Sequence, residues 1–322
     1  MPDPSPSQPP HLSVVVPLLN EQDNLRELHR RVRETMLQMG VTYELIFVDD
    51  GSTDASVSVI QELAQHDAGV RGLSLSRNFG HEAASTAGLD AARGQAIVLM
   101  DADLQDPPEL IADMHAAWKQ GHQIVFAKRR KREGETALKR FTSALFYRVL
   151  HKLSDTEIPL DTGDYRLIDR AVLDALKQCR EVDRFVRGLV AWTGFKSTAV
   201  EYDRPARFAG ETKYNYGKLL VLALDAVVGY STTPLRIATW LGFFVTLFAL
   251  GLTLVVSVQR VFFPRVPMFQ GYALLTGGVF FLGGVQLMML GILGEYLGRT
   301  YRQVQGRPIY IVGRTIGATD HA

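Results

Sequence analysis

Cysteine is almost absent. Cys179 is the single one in 322 residues, which excludes an internal disulfide framework and suits a reducing compartment. An excess of charge of either sign is also missing: 35 Lys and Arg stand against 34 Asp and Glu, a formal net charge of +1. Nucleic-acid binding leaves a strongly basic footprint, so no nucleic-acid partner is expected. No G-x-G-x-x-G string occurs, which removes the usual dinucleotide-binding fingerprint. The start of the chain, Met1–Pro10, has Pro and Ser but no apolar stretch. It reads as a disordered tail (residues 1–11) and not as a signal peptide.

Charge is locally missing as well. No Asp, Glu, Lys or Arg occurs in the 23 residues between Arg236 and Arg260, or in the 29 between Arg265 and Glu295. Elsewhere roughly a quarter of residues are charged, as in ordinary soluble domains. As a helix, the shorter run reaches roughly 35 Å against a hydrocarbon core of about 30 Å. Two transmembrane helices are therefore expected, at 237–259 and 271–294. A pair of buried core helices is the alternative. The second run contains Gly277-Gly278, Gly283-Gly284, Gly291 and Gly294, small residues that let helices approach closely in lipid. Lys218, Arg236, Arg299, Arg302, Arg307 and Arg314 flank the pair, against Arg260 and Arg265 in the connection. That asymmetry expects the soluble body and the tail (295–322) in the cytoplasm.

The body alternates strand-like and helical patterns. Strands are expected at Leu12–Val16, Tyr43–Val48, Val70–Leu75, Ala96–Met100 and Gln123–Ala127. Helices are expected at Asn24–Met39, Asp54–Gln65, Glu82–Ala92 and Pro107–Gln120, the last with proline in its first turn. This rhythm implies an α/β fold with a mainly parallel sheet and chemistry at the carboxyl ends of its strands. Polar strings follow four of those strands: Asn20-Glu21, Asp49-Asp50-Gly51-Ser52-Thr53-Asp54, Ser76-Arg77-Asn78 and Asp101-Ala102-Asp103-Leu104-Gln105. In extended chain, Asp101 and Asp103 point the same way, and like charges held together repel unless a cation lies between them. Mg²⁺ or Mn²⁺ suits such oxygen ligands and shares them with phosphates. Gln105 offers a third oxygen. A strand-end turn with solvated aspartates is the bland alternative.

The strings VVVPLLNE (Val14–Glu21), VDDGSTD (Val48–Asp54) and MDADLQDPPE (Met100–Glu109) resemble glycosyltransferase family 2, of the Rossmann-like GT-A fold. DTGDYRLIDR (Asp161–Arg170), RFAGETKY (Arg207–Tyr214), STTPLR (Ser231–Arg236) and GILGEYLGRTY (Gly291–Tyr301) narrow the resemblance. They are similar to the polyprenyl-phosphate glycosyltransferases, close to bacterial bactoprenol glucosyltransferases and related to dolichol-phosphate mannose synthase. The resemblance implies a GT-A catalytic domain over 12–215. It implies that Pro17, Leu19 and Glu21 line a nucleoside pocket, with Asp50 on the base or ribose and Ser76 and Arg77 closing it. Asp101, Asp103 and Gln105 would hold the metal and diphosphate. Asp164, in a Thr162-Gly163-Asp164 turn, would be the base or the acceptor orienter. Arg207 and Lys213 would neutralise the leaving group.

A phosphomonoester has its second pKa near 6, so an acceptor phosphate is largely dianionic at neutral pH. Asp164 is therefore expected to orient more than to abstract a proton. Attack opposite the leaving group inverts the anomeric centre. A basic amphipathic pattern over about 135–153, with Lys139, Arg140, Arg148 and Lys152 outside its apolar face, suits a helix lying in the membrane interface; a core helix is the alternative. The run Lys128-Arg129-Arg130-Lys131-Arg132 is a solvated loop or, with Arg140, a collector of the acceptor phosphate. A juxtamembrane helix (216–236) would lead into the first span. Cys179 and Trp192 read as packing, and His81, His115 and His122 show no metal-ligand spacing.

The expected function is transfer of a hexose, glucose from UDP-glucose in the first instance, onto undecaprenyl phosphate at the cytoplasmic face of a bacterial inner membrane. The resemblance also implies a homo-oligomer, a tetramer among the options. GDP-mannose or a UDP-linked modified arabinose are the alternative donors, and a non-catalytic membrane scaffold is the alternative from another class. A processive synthase is disfavoured by the lack of a Q-x-x-R-W string.

Overall fold

The computed structural model describes residues 9–130, 162–203, 233–262 and 271–317. The chain divides into two compact units: a body that also takes in the residues from Arg307 onward, and a second unit holding the residues up to Gly306 that form the long helices. The body contains β1 (Leu12–Leu18), α1 (Leu25–Met39), β2 (Tyr43–Asp49), α2 (Ser56–His66), β3 (Val70–Leu75), α3 (His81–Ala91), β4 (Ala96–Leu99), α4 (Leu110–Lys119) and β5 (Ile124–Arg129). These are followed by β6 (Thr162–Asp169), α5 (Arg170–Gln178), α6 (Val186–Trp192), β7 (Ser197–Tyr202) and, after the long helices, β8 (Val312–Ile316).

The strands form one sheet in the order β7-β5-β6-β4-β1-β2-β3-β8. Only β6 and β8 run against the rest, so the expected mainly parallel sheet is observed. All seven residues of β1 are buried, as in a central parallel strand covered on both faces. Alternation divides them. Val14 and Val16 share an apolar layer with Leu28, Val32 and Met36 of α1 and Met114 of α4. Val15 belongs to the opposite layer, with Ala84 and Ala87 of α3, Leu173 of α5 and Val190 of α6. The α3 helix lies so close to β1 and β2 that a Cβ at Gly88 would collide with Val15 and Val48.

Four expectations about the body need correction. Asp164 lies in no turn: Thr162–Asp169 is the strand β6, inserted antiparallel between β4 and β5. The regular α-helix α4 begins at Leu110, and Pro107 and Pro108 lie in a tighter turn that leads into it, their carbonyls accepting the N–H groups of Leu110 and Ile111 at 3.1 Å each. The tail is not merely a tail, since β8 closes the sheet edge against β3. Trp192 is 65% exposed at the end of α6 and is no core residue, and Cys179 is half-buried.

His11 Nε2 and His115 Nε2 face each other at 2.8 Å, with Trp118 edge-on to His11. Burial, and then the charge of Lys119, pull His115 down to about 4 and His11 down as well. In the unfolded chain these rings protonate near 6.5. Their contribution to stability is thus present above pH 6.5 and is lost as pH falls toward 4. Between those values the Tm of His115→Leu should fall less steeply than that of the wild-type protein; parallel Tm curves would refute this.

In the second unit, α7 (Thr233–Phe262) and α8 (Gly271–Val304) each contain a stretch long and apolar enough to cross a membrane, Ala238–Val255 and Gly277–Val304. No described residue of either stretch is buried; Phe248 and Phe280 are 73% and 77% exposed. Core helices of a soluble protein would be covered, and contiguous apolar surface of this kind marks a lipid or protein contact. The expected interfacial helix at 135–153 with Arg140, the segment with Arg207 and Lys213, and Leu219–Tyr230 lie outside the described residues.

Candidate active site

Strands β1, β2 and β4 end on one edge of the sheet, and β6, being antiparallel, begins there. Leu99 of β4 pairs with Arg166 of β6. Continued two residues outward, that register sets position 101 opposite position 164. His81, the first residue of α3, joins them: its Nε2 lies 3.7 Å from Asp101 Oδ1 and 3.9 Å from Asp164 Oδ2. Two carboxylates 63 positions apart in sequence thus meet over one imidazole.

Asp164 is clamped by two arginines. Arg187 of α6 approaches Oδ1 with Nε at 3.3 Å and a terminal nitrogen at 3.1 Å, and Arg166 reaches the same oxygen at 3.2 Å. Burial pushes the Asp164 carboxyl up, but the charges of Arg187, Arg166 and His81 together outweigh it and hold the group below its ordinary value. It is a carboxylate at neutral pH. Arg166 is only 1% exposed; burial draws its guanidinium down to about 10, against the pull of Asp164, and it stays charged. Behind them Glu82 of α3 accepts the Val186 N–H at 2.9 Å, which ties the start of α6 to α3. Burial and the nearby Asp164 charge push the Glu82 carboxyl up.

The chain leaves β4 at Leu99 and turns at Ala102 and Asp103, so the extended-chain geometry expected of Asp101 and Asp103 does not hold here. Leu104 takes a left-handed φ of 59°, a strained conformation for a bulky residue. The surroundings impose it. Leu104 is buried in the core, Asp103 Oδ1 accepts the Gln105 N–H at 3.1 Å, Tyr202 of β7 donates to Asp106 Oδ1 at 3.0 Å, and Tyr165 of β6 donates to the Pro107 carbonyl at 2.8 Å. Asp103 is 8% exposed. Among the described residues no group of three or more His, Cys, Asp or Glu is placed to hold a metal. The carboxylates of Asp101 and Asp103 have the oxygen chemistry that hard cations take, and a ligand's phosphates would have to supply further oxygens.

The other strand ends pack together. Asn20, at a left-handed φ of 58°, accepts the Thr53 N–H at 2.8 Å, and the Glu21 N–H reaches Ser56 Oγ at 3.0 Å. Pro17 is buried within β1, whereas Leu19 is exposed just beyond it. Asp50 accepts the N–H groups of Phe79 and Gly80 at 2.7 and 2.9 Å, one on each oxygen. Asp50 therefore fixes the 76–80 loop; burial raises its pKa against those two bonds. Arg77 stacks on the Phe79 ring at 3.9 Å and donates to the Asn78 carbonyl. Lys128 lies 3.7 Å from Glu201 of β7, and Arg129 contributes its backbone to β5.

The model of the family described as glycosyl transferase family 2 matches residues 13–177, from β1 into α5. The chain belongs to glycosyl transferase family 2. This transferase is 45% identical to an uncharacterised glycosyltransferase of Synechocystis, over 94% of each chain. It is 41% identical to a prophage bactoprenol glucosyl transferase homolog of Escherichia coli, over 94% of this chain and 98% of that one. It is also 41% identical to the bactoprenol glucosyl transferase of Shigella phage SfV, over 94% and 97%. Among solved structures, glucosyl-3-phosphoglycerate synthase from Mycobacterium tuberculosis in complex with Mn²⁺, UDP-glucose and phosphoglyceric acid is 20% identical, with a TM-score of 0.46 over 68% of this chain and 78% of that one.

Sequence reasoning on this family 2 transferase missed His81, Arg166, Arg187 and Glu82. His81 shows no metal-ligand spacing, yet its place at the start of the helix after the third strand puts it at the edge where β1, β2 and β4 end. Arg187 offered no comparable signal. Its helix reaches Asp164 only through packing on α3 and α5.

Proposed function

We propose that this protein is a membrane-bound, inverting glycosyltransferase that moves a hexose from a nucleoside diphosphate onto undecaprenyl phosphate. UDP-glucose is the donor of first choice, in keeping with relatives named bactoprenol glucosyl transferases. The observation that carries the reading is the meeting of Asp101 and Asp164 at His81: a carboxylate suited to a metal-bound diphosphate lies beside one suited to an incoming acceptor. Asp101 and Asp103, with Gln105 beside them, would hold Mg²⁺ or Mn²⁺, which when bound stabilises charge developing on the departing diphosphate. Leu19, Glu21, Ser76 and Arg77 border the nucleoside; Pro17 and Asp50, expected to line the pocket, are buried, and in this reading they support those residues from behind. In the reaction an acceptor phosphate oxygen forms a bond to the anomeric carbon while the bond to the diphosphate oxygen breaks. Asp164, kept ionised by Arg187 and Arg166, orients the acceptor and takes up no proton. Arg207 and Lys213 belong to leaving-group neutralisation, and Lys128, Arg129 and Arg140 to capture of the acceptor phosphate.

The membrane reading rests on α7 and α8. Because β8 is paired into the sheet of the body, a chain that departs into the bilayer at α7 must come back after α8. Either both helices cross or neither does, and Lys218, Arg236, Arg299, Arg302, Arg307 and Arg314 favour the cytoplasmic side for the body. The reading includes a homo-oligomer packed through α8, where Cβ positions at Gly277, Gly278, Gly283 and Gly284 meet nothing within 4 Å.

The test is a panel of labelled nucleotide sugars offered to the detergent-solubilised protein with undecaprenyl phosphate. UDP-glucose should label the organic extract in step with release of UDP. Label arriving from GDP-mannose or a UDP-linked arabinose instead would replace the donor, and no transfer to the lipid from any donor would sink the reading.

A further inference from the structure

The chain emerging from α8 returns at once to the body. Within six residues of Val304, Tyr310 donates to Asp90 Oδ2 at the end of α3, at 2.9 Å, a carboxylate also gripped by Arg180 at 2.7 Å. The next residue, Ile311, accepts the Ser76 N–H at 2.9 Å. β8 then pairs with β3, Leu75 opposite Val312 and Gly72 opposite Ile316, with a register shift between Ser74 and Leu75. At that shift Gly313 lies against the start of the loop: a Cβ there would stand 3.2 Å from Ser76 Cα and 3.4 Å from Ser76 N.

The 76–80 loop is thus held from two sides. On one side β2 supplies Asp50, which takes the Phe79 and Gly80 N–H groups, and Gly51, whose close approach to the Arg77 backbone admits no Cβ. On the other side stands the segment after α8. His81, which meets both catalytic-edge carboxylates, follows the loop directly.

We propose that residues Arg307–Ile316 are a strap that positions the Ser76–Gly80 loop, so that donor affinity depends on the chain following the second apolar helix. This rests on the reading of Ser76 and Arg77 as part of the nucleotide pocket. A loop with one anchor samples more conformations than a loop with two, and ordering it on the nucleotide then opposes binding. The effect should fall on the donor and leave acceptor binding alone.

The test compares full-length wild-type protein with Gly313→Val, which keeps a strand-favouring residue but forces Ser76 away, and with Tyr310→Phe, which removes one hydroxyl. Hydrogen exchange over residues 74–80 should quicken by about tenfold in Gly313→Val. Donor KM should rise by about fivefold or more, with acceptor KM and kcat within about twofold. Tyr310→Phe should move both readouts the same way by less. Unchanged exchange, or faster exchange with an unchanged donor KM, overturns the inference while sugar transfer stands. Equal losses in both KM values and kcat together with a lower Tm also overturn it, as mere loosening of the fold. A wild-type protein that transfers no sugar at all overturns the proposed function, and the strap's role with it.

Discussion

Asp103→Ala should abolish sugar transfer to lipid, with a loss of at least about 10³-fold in kcat/KM. A bound cation that stabilises a departing diphosphate contributes several kcal/mol to the transition state, and about 1.4 kcal/mol corresponds to tenfold in rate. Asp103 Oδ1 also receives the Gln105 N–H in a loop that carries the strained Leu104. Asp103→Asn, which keeps the shape and can still accept that bond, therefore separates loss of the carboxylate from loss of the turn. Asp103→Asn should retain the wild-type Tm within a few degrees while Mn²⁺ binding in the presence of UDP weakens. Transfer within about tenfold of wild type by Asp103→Asn, at unaltered Mn²⁺ affinity, would remove Asp103 from the metal site.

The second large effect concerns Asp164. Asp164→Asn should lower kcat by about 10²-fold or more, in the range associated with a positioned acid–base or orienting group, with donor KM little changed. The pH profile decides which role is lost. Arg187, Arg166 and His81 hold the Asp164 carboxyl below its ordinary value despite its burial, so it stays ionised through neutral pH and contributes no acid limb there. An acceptor phosphate takes up its second proton near pH 6, and the rate should fall as pH drops through that value. The limb should therefore persist at the same pH in Asp164→Asn, on a lower plateau. Its disappearance in the variant would mean that Asp164 itself takes the proton. The substitution also leaves Arg187 and Arg166 facing each other without their shared counter-charge, so Arg187→Gln with Asp164→Asn should cost less than the two single losses combined.

Much of the architecture was legible in the residue pattern because burial imprints it locally. The unbroken apolar run of β1, the helical spacing of Leu25, Leu28, Val32 and Met36, and Gly40 at a left-handed φ of 63° just past the end of α1 each follow from which side chains face the core. The two uncharged runs declare themselves in the same way, and α7 and α8 leave their apolar surfaces open. The Asp101–Gln105 string follows the end of β4, where the strand pattern put it.

Direction and partnership of the two antiparallel strands, β6 and β8, were not legible. Nothing in Thr162–Asp169 tells whether it turns or pairs, or that it runs antiparallel against β4, and only that register carries Asp164 to Asp101. Nothing in Val312–Ile316 tells that it closes the sheet against β3. Those pairings join residues 67 and 237 positions apart, and they are decided by which edges remain unsatisfied once the core has formed. The residue types of the site were thus set by composition and local spacing, whereas the grouping of His81, Arg187 and Arg166 around Asp164 was settled by packing, because a side chain's neighbours depend on every element that covers the sheet.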